Sequence, residues 1–143
     1  MTKPTKILFL CTGNSCRSQM AEGFARHLKA GVVEAHSAGT KPKGLNPLAI
    51  AVMQEVGIDI SRNRSKHLDE FKGIAFDYVV TLCGDAQESC PVFPGKLVHH
   101  GFDDPPKLAE HAKTRAEQLS HYRRVRDEIK TFILKLPEML SEK

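Results

Sequence analysis

The run Ile7-Leu8-Phe9-Leu10 is apolar without alternation and breaks at once into Cys11-Thr12-Gly13-Asn14-Ser15-Cys16-Arg17-Ser18. A short, unalternating apolar run is the pattern of a strand buried on both faces, and such strands belong to parallel sheets flanked by helices. After the polar break a helical pattern opens, with Met20, Phe24 and Leu28 on one side and Gly31 to end it. The alternation then repeats. Val32 to Ser37 reads as a second strand closed by Ala38-Gly39, and Leu45 to Val56 as a helix with Ile50, Met53 and Val56 at helical spacing. Tyr78 to Leu82 reads as a third strand and Leu97 to His100 as a short fourth. From Arg115 to Leu140, the residues Leu119, Tyr122, Val125, Ile129, Phe132, Ile133 and Leu136 predict one long amphipathic helix that Pro137 kinks or ends. Residues His99 to Lys107, through Asp103-Asp104-Pro105-Pro106, form the longest irregular stretch. Strands alternating with helices predict an α/β fold, a parallel sheet with right-handed crossovers and a ligand site at the carboxyl edge of the strands.

At 143 residues the chain supports a single domain over 1–143 with one core. Nothing in it approaches eighteen consecutive apolar residues, and the segment after Met1 leads into only five, Ile7 to Cys11. A membrane span or a secretory signal needs more, so a cytoplasmic protein is expected. The net charge of +4 is carried partly by Arg115, Arg123, Arg124, Arg126 and Lys130, interleaved with Glu117, Asp127 and Glu128. That is the pattern of a solvated helix face, and without interleaved aromatics no nucleic acid is expected as a partner. The cysteines are Cys11, Cys16, Cys83 and Cys90. In a reducing compartment they are not structural disulfides, and their spacing does not match paired zinc knuckles. The histidines show no metal spacing either, so no metal is expected and the thiols are reactive or buried.

The Cys11–Ser18 segment has the parts of an anion nest. A short loop folding back at a helix start turns several backbone N–H groups inward, and the helix start adds its unpaired donors. The loop residues Thr12, Gly13, Asn14, Ser15, Cys16, Arg17 and Ser18 would together surround the anion, with Gly13 permitting unusual backbone angles. Arg17 offers a planar fork for two oxygens of a tetrahedral anion. A cysteine at the base of such a nest is expected to have a lowered pKa and to point as a thiolate at the anion's central atom. The competing reading is a buried cysteine beside a glycine turn. Gly13, Asn14 and Ser18 together, directly after a buried strand, favour the nest.

Cys11 to Ser18 resembles the phosphate loop of the low-molecular-weight protein tyrosine phosphatase superfamily. Continued to Gln19-Met20-Ala21-Glu22-Gly23, it is more similar to the thioredoxin-coupled arsenate reductases within it. Ser37-Ala38-Gly39, Asn46-Pro47, Val79-Val80-Thr81-Leu82-Cys83, Cys90-Pro91, Gly101-Phe102-Asp103-Asp104-Pro105 and Arg124-Val125-Arg126-Asp127-Glu128-Ile129 carry the same likeness over almost the whole chain. The resemblance implies a four-stranded parallel sheet with helices on both faces. It also implies arsenate reduction as part of arsenical resistance, no organic cofactor, thioredoxin as reductant, and phosphate or sulfate as competing anions. A monomer is expected.

Displacement at a tetrahedral centre needs a proton donor for the leaving oxygen. Asp103 and Asp104 could both reach the loop, though an Asp-Asp-Pro-Pro stretch is also an ordinary turn. The family pattern assigns the acid to Asp104, immediately before proline. By the same resemblance, Cys11 attacks arsenic, Cys83 attacks Cys11, Cys90 attacks Cys83, and thioredoxin reduces the Cys83–Cys90 disulfide. On a regular helix those two cysteines would stand roughly 10.5 Å apart along the axis, beyond the about 7 Å that a disulfide tolerates between Cα atoms. If they bond, the segment between them is not regular helix. Some relatives hold a potassium ion beneath the loop. Three of its ligand positions match Asn14, Glu22 and Ser37, and the fourth, acidic in those relatives, is Lys66 here. Lys66 is therefore expected either to place its ammonium where the ion would sit, bonded to Glu22, Asn14 and Ser37, or to point into solvent.

Two rivals use the same loop. One is a low-molecular-weight tyrosine phosphatase or small phosphomonoester phosphatase. Against it stand Cys83 and Cys90, which it does not need, and Pro106 after Pro105, where those phosphatases carry an aromatic residue. Weak phosphatase activity is expected in either case. The other rival is a non-catalytic anion sensor.

Overall fold

The computed structural model describes residues 3–83 and 96–141. Thr5–Cys11 forms β1, Arg17–Leu28 α1, Val33–Gly39 β2, Pro47–Glu55 α2, Tyr78–Thr81 β3 and Lys96–His99 β4. Pro105–Leu108 is the one-turn α3, Arg115–Leu134 is α4 and Glu138–Ser141 is α5, with a 3-10 turn at Leu68–Phe71 between α2 and β3. The expected four-stranded parallel sheet is present, in the order β2-β1-β3-β4. β1 pairs with β2 on one side and with β3 on the other, so the chain order reverses across it. A crevice opens at the carboxyl edge of such a reversal. Cys11 ends β1 there, and Cys83 follows β3 with Leu82 still bonded to Leu10 through its N–H, at 2.8 Å.

β1 reads as a continuous apolar run because both of its faces are sealed. Ile7 and Phe9 pack with Met20, Phe24, Val125, Ile129, Phe132 and Ile133 from α1 and α4. Leu8 and Leu10 pack on the other face with Leu68, Phe71 and Phe76, from the 3-10 turn and the chain that follows it. All four β1 side chains are fully buried, each contributing about 1.5–3 kcal/mol of transfer free energy. No helix among the described residues is long and apolar enough to cross a membrane.

The strand ends shift by one or two residues from the sequence reading, and three larger differences have a local cause. α2 starts at Pro47, not Leu45, because the Asn46 side chain accepts the N–H groups of Leu48 (2.8 Å) and Ala49 (3.2 Å) and Pro47 takes the position where no N–H is needed. The tail helix stops at Leu134, short of Pro137, and the chain resumes as a separate turn at Glu138; a residue before proline is sterically barred from helical angles. The Asp-Asp-Pro-Pro stretch is not wholly irregular: Asp104 stands at the N-cap of α3 with both prolines inside it.

Gly39, at the end of β2, has the loop after β1 pressed against it. A Cβ there would meet Thr12 O at 2.5 Å, Asn14 N at 2.9 Å and Cys11 O at 2.9 Å, all backbone atoms that cannot swing away. Gly39→Ala should therefore destabilise the fold by about 1–3 kcal/mol, read as a lower denaturant midpoint with an unchanged slope. A midpoint equal to wild type would mean that the loop yields freely.

Candidate active site

The loop is held open by donors and acceptors outside itself. Its carbonyls accept from the following segments: Thr12 O from Lys41 N (2.8 Å), Gly13 O from Lys43 N (2.9 Å), and Ser15 O from Asn46 N (3.0 Å). Ser65 Oγ adds a second donor to Gly13 O at 3.0 Å. With its carbonyls turned outward, the loop leaves its N–H groups on the inner side. α1 begins at Arg17 with no side-chain cap and no acidic residue in its first turn, although that turn is buried. Such a helix start has orphan N–H donors and partial positive charge for which an anion is the natural complement.

The unusual backbone angle falls on Asn14, at φ 45°, and not on Gly13. Asparagine tolerates the left-handed region better than most side chains, and this one is completely buried. Its amide donates to Ser18 Oγ (2.8 Å) and Ser37 Oγ (2.9 Å). Its Oδ1 accepts from the Lys66 backbone N–H (2.8 Å) and from Gln19 Nε2 (3.1 Å). Ser37 in turn donates to the buried Glu22. Lys66 meets one part of its expectation, the approach to Glu22, and not the bonds to Asn14 and Ser37. Its ammonium donates to Arg64 O at 2.8 Å and lies 3.8 Å from Glu22 Oε1, with no bond to Asn14 or Ser37, whose oxygens serve other partners. Glu22 meets a second cation that the sequence reading missed: Arg26, one helical turn on, at 3.2 Å. Burial holds the Lys66 pKa below the ordinary lysine range, against the pull of Glu22.

Cys11, Thr12, Gly13, Ser15, Cys16 and Arg17 line a cleft of about 580 Å3, opposite Lys43, Asn46, Cys83, Asp104, Pro106 and Lys107. Arg17 donates to Phe102 O at 3.0 Å, and its terminal nitrogen lies 3.7 Å from Asp104 Oδ1. Its Nε is buried with no hydrogen-bond partner among the described residues. A buried guanidinium N–H without an acceptor is costly, and an oxyanion in the cleft would supply one. The Asp104 carboxylate makes no cap bond to α3. Asp103 instead pairs with Arg124 of α4 at 3.0 Å.

The pKa of Cys11 departs from expectation. The thiol is pushed up, first by its hydrogen bond with Cys83 and then by burial, while Arg17 and the Thr12 backbone pull it down. Counting the loop's donors alone omits this second sulfur. Cys83 is itself buried and 3.1 Å from the Thr12 hydroxyl. Two thiols in contact titrate as a pair, so that a charge on either sulfur opposes ionisation of the other. Cys16 is pushed up by burial, with Arg17 opposing.

Of the residues singled out from sequence, Cys11, Arg17, Cys83 and Asp104 come together at the cleft, with Thr12, Gly13, Ser15 and Cys16 also lining it. Asn14 and Ser18 lie buried beneath the loop as its support. Cys90 lies outside the described residues. Among those described, no group of three or more His, Cys, Asp or Glu residues could hold a metal ion. Sequence reasoning missed Gln19, Asn46, Ser65 and Phe102. Only Asn46, a capping residue before proline, had a local signal.

Cys83→Ala removes the largest influence that holds the Cys11 thiol up. The Cys11 thiolate population at neutral pH should rise, so the pH midpoint for its alkylation by iodoacetamide should move down. Mass spectrometry of the reduced protein reads this directly. A midpoint that stays or rises would mean that Cys83 does not oppose ionisation.

Residues 6–143 match the sequence profile described as low molecular weight phosphotyrosine protein phosphatase. Over 136 residues the chain is 52% identical to the arsenate reductase of Shouchella clausii, covering 92% of this chain and 94% of that protein. It is similar to a solved structure described as an arsenate reductase in the phosphate binding state, with a TM-score of 0.74 and 35% identity over 92% of this chain and 95% of that one. A thioredoxin-dependent arsenate reductase of Corynebacterium glutamicum aligns with a TM-score of 0.62 and 28% identity, over 93% of this chain and 63% of that one. A relative half identical over nearly its full length, and a family profile matched over residues 6–143, leave one conclusion: the chain belongs to the low molecular weight phosphotyrosine protein phosphatase family, in its arsenate reductase branch.

Proposed function

We infer that this protein reduces arsenate to arsenite through a relay of its own thiols that thioredoxin resets. The observation that carries the reading is the contact between Cys11 and Cys83 at the anion loop, where ester hydrolysis would need only the first thiol. The Cys11 thiolate attacks the arsenic of bound arsenate while Asp104 gives a proton to the departing oxygen, which leaves as water. Arg17 and the loop N–H groups hold the remaining oxygens. Once its sulfur is bonded to arsenic, Cys11 is neutral and open to attack by a second thiol. The Cys83 thiolate then attacks the Cys11 sulfur. A disulfide forms, the sulfur–arsenic bond breaks with both electrons passing to arsenic, and arsenite departs. Cys90 attacks the Cys83 sulfur and frees Cys11 as a thiolate. The two thiols of thioredoxin reduce the Cys83–Cys90 disulfide and are themselves oxidised.

Phosphate and sulfate compete for the same loop, and slow hydrolysis of an aryl phosphate follows from the shared first step. We place the protein in the cytoplasm, where thioredoxin keeps thiols reduced, and read it as a monomer.

The test is arsenate-dependent oxidation of reduced thioredoxin. Cys11→Ser should abolish it, since a serine hydroxyl is not ionised at neutral pH. Cys83→Ser and Cys90→Ser should each stop multiple turnover but spare aryl phosphate hydrolysis. Equal loss of both activities in a folded Cys83 or Cys90 variant would refute the relay. Hydrolysis without any arsenate reduction in the native chain would make it a phosphatase.

Beneath the loop, Arg26 and Lys66 supply built-in positive charge beside Glu22. Stability and the arsenate KM should therefore be the same in potassium and in a bulky organic cation at equal ionic strength. Lys66→Asp should create a potassium dependence. A potassium-specific rise in the melting temperature of the native protein would refute the built-in cation.

A further inference from the structure

We propose that Phe132, on α4, is a positioning residue for oxyanion capture, acting through Phe102 on Arg17; the proposal rests on the reading of Cys11–Ser18 as an oxyanion loop. Phe102 is a junction. Its carbonyl accepts from the Arg17 guanidinium at 3.0 Å, and its N–H donates to Leu82 O, next to Cys83, at 3.0 Å. One residue thus bonds to the arginine that meets the anion and to the strand end that leads to the second thiol.

The backbone of Phe102 is irregular chain between β4 and α3, so no helix or sheet ladder fixes its angles. Beside the N–H bond to Leu82 O, its ring is the second anchor. Phe102 packs edge-on against Phe132, with centroids 5.7 Å apart and planes at 65°. His100 completes the cluster, 5.0 Å from Phe102 and 4.2 Å from Phe132. Phe132 is buried in the main core with Val125, Ile129 and Ile133, so it is the rigid member of the three. Offset and edge-on arrangements are the ones ring pairs prefer, so the contact favours one orientation of the Phe102 ring. The guanidinium is planar, so pinning one of its N–H groups on Phe102 O also sets the plane in which the unpartnered Nε lies. If the Phe102 carbonyl drifts, that plane turns and Arg17 no longer presents its fork to two oxygens at once. The core face of α4 is in this way linked to the affinity of the loop for its anion, although Phe132 touches neither substrate nor thiol.

The experiment measures protection of Cys11 from iodoacetamide by inorganic phosphate in the reduced protein. Native protein that phosphate does not protect would overturn the oxyanion-loop reading itself, before any variant is made. Phe132→Leu keeps an apolar side chain and removes the ring; it should raise the half-protecting phosphate concentration about tenfold, the usual worth of a charge-assisted hydrogen bond. The alkylation rate without phosphate should stay near wild type. Phe132→Tyr should restore native protection, because Phe132 also borders a surface cleft with Glu128, Thr131 and Met139 that can take a hydroxyl. Phe102→Leu, which keeps the carbonyl and loses the ring, should repeat the Phe132→Leu result and stands in for it should that variant fail to fold. Lower melting temperatures with unchanged half-protection would reduce Phe132 to a packing residue and overturn the proposal, as would a Phe132→Tyr protein as weak as Phe132→Leu.

Discussion

Everything at the active site depends on Asn14 keeping a left-handed backbone angle in a place that water does not reach. A buried primary amide has two donors and two acceptor positions to satisfy, and each one left open is expensive. Asn14 fills all of them: Ser18 and Ser37 take its N–H groups, while Gln19 and the Lys66 backbone supply its oxygen. Those partners come from α1, β2 and the segment before the 3-10 turn, so the angle that turns the loop's N–H groups inward is stabilised by three separate parts of the chain. Gly39 matters for the same reason from the other side, since only a residue without a Cβ lets the loop backbone lie so close.

The sheet order does the remaining work of assembly. Because β1 lies between β2 and β3, the loop after β1 and the thiol after β3 emerge side by side at the carboxyl edge. The consequence is electrostatic as well as geometric. The second sulfur that can resolve a covalent intermediate on Cys11 also holds the Cys11 thiol up while both are free.

α4 looks from its charges like a solvated surface helix, and its outer face is one. The helix nonetheless bears on the site at three points. Tyr122 accepts a hydrogen bond from Asn46 at 3.0 Å, Arg124 holds Asp103, and Phe132 packs on Phe102. Asn46 N is also a donor to the loop and Asp103 adjoins Asp104 at the cleft, so the tail of the chain steadies residues that lie far from it in sequence.

Local pattern alone determined the parallel α/β class, a loop with the parts of an anion nest between the first strand and the first helix, and Cys11 and Arg17 at the cleft it lines. These are short-range matters: a run of apolar residues, a helix start, and donor-bearing residues a few positions apart. Cys83 and Asp104 were legible through motif likeness, but their approach to Cys11 and Arg17 was a product of strand order, which periodicity does not encode. Which residue takes the left-handed angle went to Asn14 rather than Gly13, because a fully bonded amide can offset a strain that glycine would merely have avoided. The partners of Glu22 and the raised Cys11 thiol were likewise decided only in the folded chain. Burial and the proximity of a second ionisable group set a pKa, and neither exists until segments distant in sequence have packed together.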